Sequence, residues 1–189
     1  RKMPTTVAAA SQNHDITKDI QKIFSNNNFR VYSSGDLIGC ELGGALKNVI
    51  AIAAGIIDGL ELGDNTKAAL ITRGLAEMSR LGTELGADPL TFSGLSGLGD
   101  LIVTCDSRHS RNRSVGEKLG KGMTLDEILE KMKMVAEGVN TTISAVELGK
   151  KNNIEMPIAE QVHNVLFDGI SPMQAINELM NRKFKSEWW

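Results

Sequence analysis

A chain of 189 residues has room for one sizeable core, or for one helical domain plus part of another, and not for two complete large domains. Its formal charge of -2 and isoelectric point near 6.0 give no global field for gathering nucleic acid or an anionic membrane, so any anion site must be built locally. Two cysteines, Cys40 and Cys105, behind no apolar leader fit thiols in a reducing cytoplasm, and Gly, Asn or Asp interrupts the apolar stretches before the ~18 residues of a membrane span.

Pro4 to Ala10 reads as a short strand, Asp15 to Phe24 as a helix by its period, and Phe29 to Tyr32 as a second strand. One strand-helix-strand unit cannot cover both faces of its own sheet, so residues 1–37 are expected to be the trailing edge of a larger α/β sheet. From Ile38 onward the period is helical. Leu42, Ala45, Leu46, Val49, Ile50, Ala53 and Ile57 predict one long central helix from about Gly39 to Asp58. A second helix, capped by Asp64 or Asn65, should turn Ala68, Ile71, Leu75, Met78 and Leu85 inward and stop at Gly86. Asp88-Pro89 starts a short helix, Leu101-Ile102-Val103 leans helical, and Ser110 can cap a helix through Leu119. Thr124 to Glu127 has the spacing of a capping box, Met156-Pro157 opens a helix ending near Gly169, and Ser171-Pro172 opens the last one. Residues 38–189 are thus expected to form an all-α domain of seven or eight helices, with a terminal tail whose Trp188 and Trp189 could dock on a surface.

Three stretches carry candidate chemistry. On the central helix Lys47 shares a strip with Cys40, Gly43, Gly44, Ala51, Ala54 and Gly55, all small. Glycine costs a helix interior about 1 kcal/mol against alanine, so the strip predicts a close approach, either of a second helix or of a ligand beside the lysine. Asp100 follows a glycine-rich turn and precedes an apolar triplet, where an ionised carboxylate needs a partner; Lys47 is a candidate and plain helix capping is the alternative. With Ser110 as cap, Arg111 and Arg113 fall in the first turn of a helix, where the dipole disfavours cations unless an anion such as a phosphate ester sits there; a solvated basic loop is the bland alternative. The glycines of Gly94 to Gly99 lack the strand and order of a dinucleotide fingerprint, and the three histidines are too scattered for a metal site. Asp58, Glu61 and Asp64 are expected to be caps or solvated charges.

Four motifs in order, Gly43-Gly44-Ala45-Leu46-Lys47-Asn48-Val49, Gly63 to Ala69, Gly97 to Cys105 and His109-Ser110-Arg111-Asn112, together with Val135 to Val139 and Glu155 to Ile158, resemble the C-terminal half of NAD(P)-dependent glycerol-3-phosphate dehydrogenases of the bacterial branch. The resemblance implies a Rossmann domain, of which residues 1–37 would be the end, joined to an all-α substrate domain. It implies catalysis by Lys47 with Asp100 as its charged partner, and glycerol phosphate contacts from Ser110, Arg111 and Asn112. Asn48 and Thr104 would support the same network, and Arg111, Val135 and Glu137 would touch the cofactor. The implied activity interconverts sn-glycerol 3-phosphate and dihydroxyacetone phosphate with NAD or NADP, for phospholipid synthesis, in an enzyme for which a homodimer is allowed. The family's G-x-G-x-x-G loop and a second catalytic lysine would lie upstream of Arg1, so the chain is expected to be a fragment, inactive alone. Two rivals are a related β-hydroxyacid-type dehydrogenase acting on 6-phosphogluconate or ketopantoate, and a helical interaction module in which the small-residue strip is only a packing groove.

Overall fold

The structure is a computed structural model that describes residues 1–132 and 134–187; Trp188 and Trp189, and with them the expected docking of the tail, lie outside the described residues. Strands β1 (Thr5–Ala10) and β2 (Phe29–Ser34) pair in parallel, with Val7 opposite Val31, and helix α1 (His14–Phe24) connects them. Asn13 caps α1 by accepting from the Asp15 amide. Within this unit only Thr17 and Val31 are buried, while Ile16, Ile23, Phe24 and Tyr32 stand exposed, as expected of a sheet edge that two strands cannot cover.

Asp36 links the two regions. One of its carboxylate oxygens accepts from the Gly39 amide (2.8 Å) and starts α2 (Leu37–Gly59), and the other accepts from the amide of Asp88 (3.0 Å). Helix α2 runs longer than its periodic stripe predicted, and by length and composition it could cross a membrane, contrary to the expected interruption. Here it is the core: residues 48–57 are buried on every side, whereas Ala45, expected inward, is exposed. Helix α6 (Arg111–Gly120) lies against it backbone to backbone. A Cβ on Gly55 would come within 2.0 Å of the Arg113 carbonyl oxygen, and one on Gly116 within 1.9 Å of that of Ile52.

Helix α3 (Asp64–Glu84) begins after Gly63, which takes the cap position itself at φ 81, so Asp64 is the first helical residue rather than the cap. Its deepest residues are Gly74, Glu77, Met78, Leu81 and Gly82; Ile71, Leu75 and Leu85 flank the core, and Ala68 is exposed. The face is rotated from the expected one because Gly74 and Gly82 admit the side chains of Ile50 and Phe92, which a Cβ would meet at 2.7 and 2.2 Å. Then follow α4 (Pro89–Phe92), a π-helical turn (Leu95–Gly99), α5 (Asp100–Asp106), α7 (Leu125–Lys131), α8 (Glu137–Lys151), α9 (Pro157–Phe167) and α10 (Pro172–Met180). Caps form at Asp88, Ser110, Thr124 and Ser171 as the sequence predicts, the last two as full capping boxes.

Nine α-helices follow β2 among the described residues, more than the seven or eight expected. Helix α8 escaped because its buried face, Gly138, Val139, Thr142, Ala145, Val146 and Gly149, is mostly small or polar, and no side chain caps it.

Candidate functional site

Lys47 stands where α2 passes from half-covered to fully buried, at the last position from which a long side chain can still reach water. Its ammonium donates to Asp100 Oδ2. Asp100 begins α5, where the helix dipole favours a carboxylate, and the Thr104 hydroxyl donates to the Asp100 carbonyl (2.6 Å) with Asp100 Oδ1 at 3.4 Å. The side chains keep 19% and 36% exposure, so the pair is roofed and still open to a small molecule.

The strip of small residues around Lys47 divides into two parts. Gly43 is filled, since a Cβ there would lie 2.4 Å from the Ser96 carbonyl oxygen of the π-turn, Gly55 lies under α6, and Ala54 is fully buried. That portion is helix packing. Gly44 is different: one turn before Lys47 on the same face, its Cβ position has no atom within 4 Å beyond the backbone of its own helix and its chain neighbours. The space beside the lysine is therefore free on one side. Cys40 Sγ donates to Ser96 Oγ at 3.3 Å, and Cys105 is buried in the core, where burial pushes its thiol up to about 12.

The second half of the site is the start of α6. Ser110 Oγ accepts from the Arg113 amide (3.2 Å), which fixes the first turn. Arg111 is exposed and its Nη1 donates to the Val135 carbonyl (3.0 Å), its one side-chain hydrogen bond among the described residues, which orients the guanidinium and leaves other donors available. Asn112 points inward and is buried: its Nδ2 donates to Asn48 Oδ1 (2.8 Å), and its Oδ1 accepts from the Gly138 amide (2.9 Å). Because Lys47 adjoins Asn48, Arg111 adjoins Asn112, and Glu137 adjoins Gly138, this amide pair gathers the motifs into one neighbourhood. Glu137 itself is exposed in the first turn of α8, beside the exposed Val135.

Arg113 departs from the sequence expectation. Its guanidinium turns back to Asp58 (2.6 Å) and Glu117 (3.1 Å), and Lys67 of α3 reaches the same Asp58 at 3.0 Å. Asp58 is thus neither cap nor solvated charge but the centre of a half-buried ion network joining α2, α3 and α6. Its Arg113–Glu117 pair is a local i,i+4 contact, but the Asp58–Arg113 link that joins α2 to α6 is sequence-distant, and no local period announces it. The sequence reading also missed the Val135 carbonyl and the Gly138 amide, although both lie within a motif it singled out. Glu77 was missed too. It is 2% exposed and its oxygens accept from the Ile158 (2.7 Å) and Ala159 (3.3 Å) amides at the start of α9. Burial pushes its carboxyl up to about 7, partly offset by those two amides and by Arg80. Its position between Gly74 and Leu81 on the inner face, and an uncapped Pro157 helix start, were the available signals. A cavity of about 720 Å³ beside Glu77, between α3, α9 and α10, is lined by none of the residues around Lys47.

Residues 36–177 match the family described as NAD-dependent glycerol-3-phosphate dehydrogenase C-terminus. Over 186 residues the chain is 58% identical to a glycerol-3-phosphate dehydrogenase (NAD(P)+) of Shouchella clausii, covering 98% of this chain and 55% of that protein. Among solved structures, the glycerol-3-phosphate dehydrogenase of Coxiella burnetii superposes with a TM-score of 0.91 at 45% identity, covering 96% of this chain and 56% of that one. The enzyme of Saccharomyces cerevisiae, at 23% identity and a TM-score of 0.84 over 93% of this chain and 54% of that one, shares the fold. The chain spans about half the length of the curated relatives it matches. With the all-α architecture and the motifs in their order, it belongs to the NAD-dependent glycerol-3-phosphate dehydrogenase family and carries that family's C-terminal domain.

Proposed function

We propose that this chain supplies the substrate-binding and proton-transferring half of an oxidoreductase that interconverts sn-glycerol 3-phosphate and dihydroxyacetone phosphate with NAD or NADP, residues 1–37 being the end of its Rossmann domain. The observation that carries the reading is the Lys47–Asp100 pair, open on its Gly44 side, set beside the exposed Arg111 through the Asn48–Asn112 contact. In the direction of reduction the Lys47 ammonium gives a proton to the oxygen that forms at C2, and in the reverse direction the amine takes it back. Asp100 holds the ammonium in place, and Thr104 fixes Asp100. Ser110 and the other donors of Arg111 bind the phosphate at the start of α6, where a dianion also relieves the unfavourable arginine at the helix dipole. Asn112, carried over as a third substrate contact, is buried and engaged at both ends, so in this reading it backs the site rather than lining its mouth.

The residues present fit one wall of a dinucleotide site: Arg111, Val135 and Glu137 are exposed and adjacent, with Arg111 already bonded to the Val135 carbonyl. When bound, the dinucleotide supplies the hydride. The sequence holds no G-x-G-x-x-G loop, so this chain alone should not bind it usefully. On charge and cysteine content the reading places the enzyme in the cytoplasm, with neither nucleic acid nor membrane as a partner, and sedimentation of the full-length enzyme tests for a homodimer. The test of substrate is a comparison in the full-length enzyme of dihydroxyacetone phosphate with dihydroxyacetone, ketopantoate and 6-phosphogluconate. The reading expects kcat/KM to favour dihydroxyacetone phosphate by at least tenfold over each; parity with any of them overturns it.

A further inference from the structure

The two asparagines at the centre of the site are oriented by their surroundings. Both are buried, at 7% and 8% exposure. At one end the Gly138 N–H can only donate, so it must meet Asn112 Oδ1. Asn112 Nδ2 is then turned to Asn48 Oδ1, and Asn48 Nδ2 to the Gly44 carbonyl at 3.2 Å. The result is a directional relay of amides from the start of α8, through the first turn of α6, to the turn of α2 that precedes Lys47. A parallel bond, from Arg111 to the Val135 carbonyl, ties the residues just before α8 to the same turn of α6. Gly138 seats the start of α8 directly on α2, since a Cβ there would lie 2.7 Å from the Asn48 carbonyl oxygen and 2.8 Å from Asn112 Oδ1.

We propose that Asn48 and Asn112 are positioning residues. They lock residues 135–138 to the helix that carries Lys47, so that the wall facing the dinucleotide and the group facing the substrate keep one relative geometry. The roles at the two ends rest on the function proposed above, whereas the mechanical link between them does not. A relay of this kind is sensitive to polarity as well as size, because each amide must present its oxygen to one neighbour and its nitrogen to the other. Removing one link leaves buried polar groups unpaired and frees the next amide to turn.

Two readouts test this. In the chain as it stands, hydrogen exchange at the Gly138 amide should accelerate at least tenfold in Asn112→Ala, which removes its acceptor. It should accelerate comparably in Asn48→Ala, which leaves the acceptor in place and removes only what orients it. Unchanged Gly138 exchange in Asn48→Ala overturns the relay. In the full-length enzyme, Gly138→Ala keeps both asparagine side chains and strains the link between them and α8, since the added Cβ meets Asn112 Oδ1 and the Asn48 carbonyl. It should raise the KM for the dinucleotide several-fold, while Gly149→Ala, a packing change near the other end of α8 where a Cβ would lie 2.7 Å from the Met156 side chain, should lower stability without that KM effect. A dinucleotide KM unmoved by Gly138→Ala, or moved equally by Gly149→Ala, contradicts positioning. A full-length enzyme inactive on dihydroxyacetone phosphate would end the functional reading and leave the exchange result to decide the relay.

Discussion

Arg111 and Arg113 sit two positions apart in one helical turn and meet opposite surroundings. Arg111 is exposed and held by a carbonyl; Arg113 is 15% exposed and paired with two carboxylates. By position alone both were candidates to meet an anion, with a solvated basic loop as the alternative, because both fall at the positive end of a helix dipole. A side chain that stays local feels that dipole, but Arg113 reaches Asp58 on another helix, a contact no local pattern reveals. The two should therefore separate on substitution. Charged hydrogen bonds contribute roughly 1.5–3 kcal/mol, so Arg111→Ala should raise the KM for the phosphorylated substrate ~10- to 100-fold in the full-length enzyme with little change in melting temperature. Equal loss of affinity for phosphate-free analogues would remove the phosphate assignment. Arg113→Ala should instead lower unfolding free energy by about 1–3 kcal/mol in a urea titration, since Asp58 retains only Lys67. A stability identical to the parent would show the network to be idle.

Among the elements, the crossing of α2 and α6 sets the geometry of the site, and glycines set the crossing. Gly55 and Gly116 face each other's helix so closely that a methyl group must push the backbones apart. Gly116→Ala should cost at least about 1–3 kcal/mol, seen as a lowered denaturant midpoint, and a neutral result would mean that α6 can slide without loss. The glycines of α2 were legible as a sign of close approach; which of them meets a helix and which meets open space was not, because that depends on the partner's position. Helix ends were the most legible features, since a cap is written in three or four consecutive residues. Helix α8 was not legible, since small residues mark a buried face only when the neighbour is known. Glu77 was hidden for the same reason, because its two partners lie on α9. Its carboxyl, raised from 4.5 to about 7 by burial, binds a proton in the folded state that the unfolded chain releases. It therefore favours folding below about pH 4.5, and that contribution is lost as pH rises through about 7. Relative to Glu77→Gln, the parent should lose on the order of 3 kcal/mol of stability between pH 4.5 and 8. A pH-independent difference between the two proteins would refute this titration.

For the molecule as a whole, the strand-helix-strand unit leaves Ile23, Phe24 and Tyr32 exposed, while the helical region closes a full core around α2. Fold class was readable because period and caps are local properties that recur along the chain. The candidate site was readable only through the resemblance, since spacing alone left Lys47 between packing and chemistry and Asp100 between capping and pairing. The structure joins those two by a direct hydrogen bond, with free space on the side of Gly44. The account stands on Lys47 moving the proton. The measurement that tests it most directly is kcat and KM of full-length Lys47→Ala against the parent, with dihydroxyacetone phosphate and saturating dinucleotide. The account predicts a kcat lower by ~10²–10⁴ with a much smaller change in KM, and a kcat within a few-fold of the parent would contradict it.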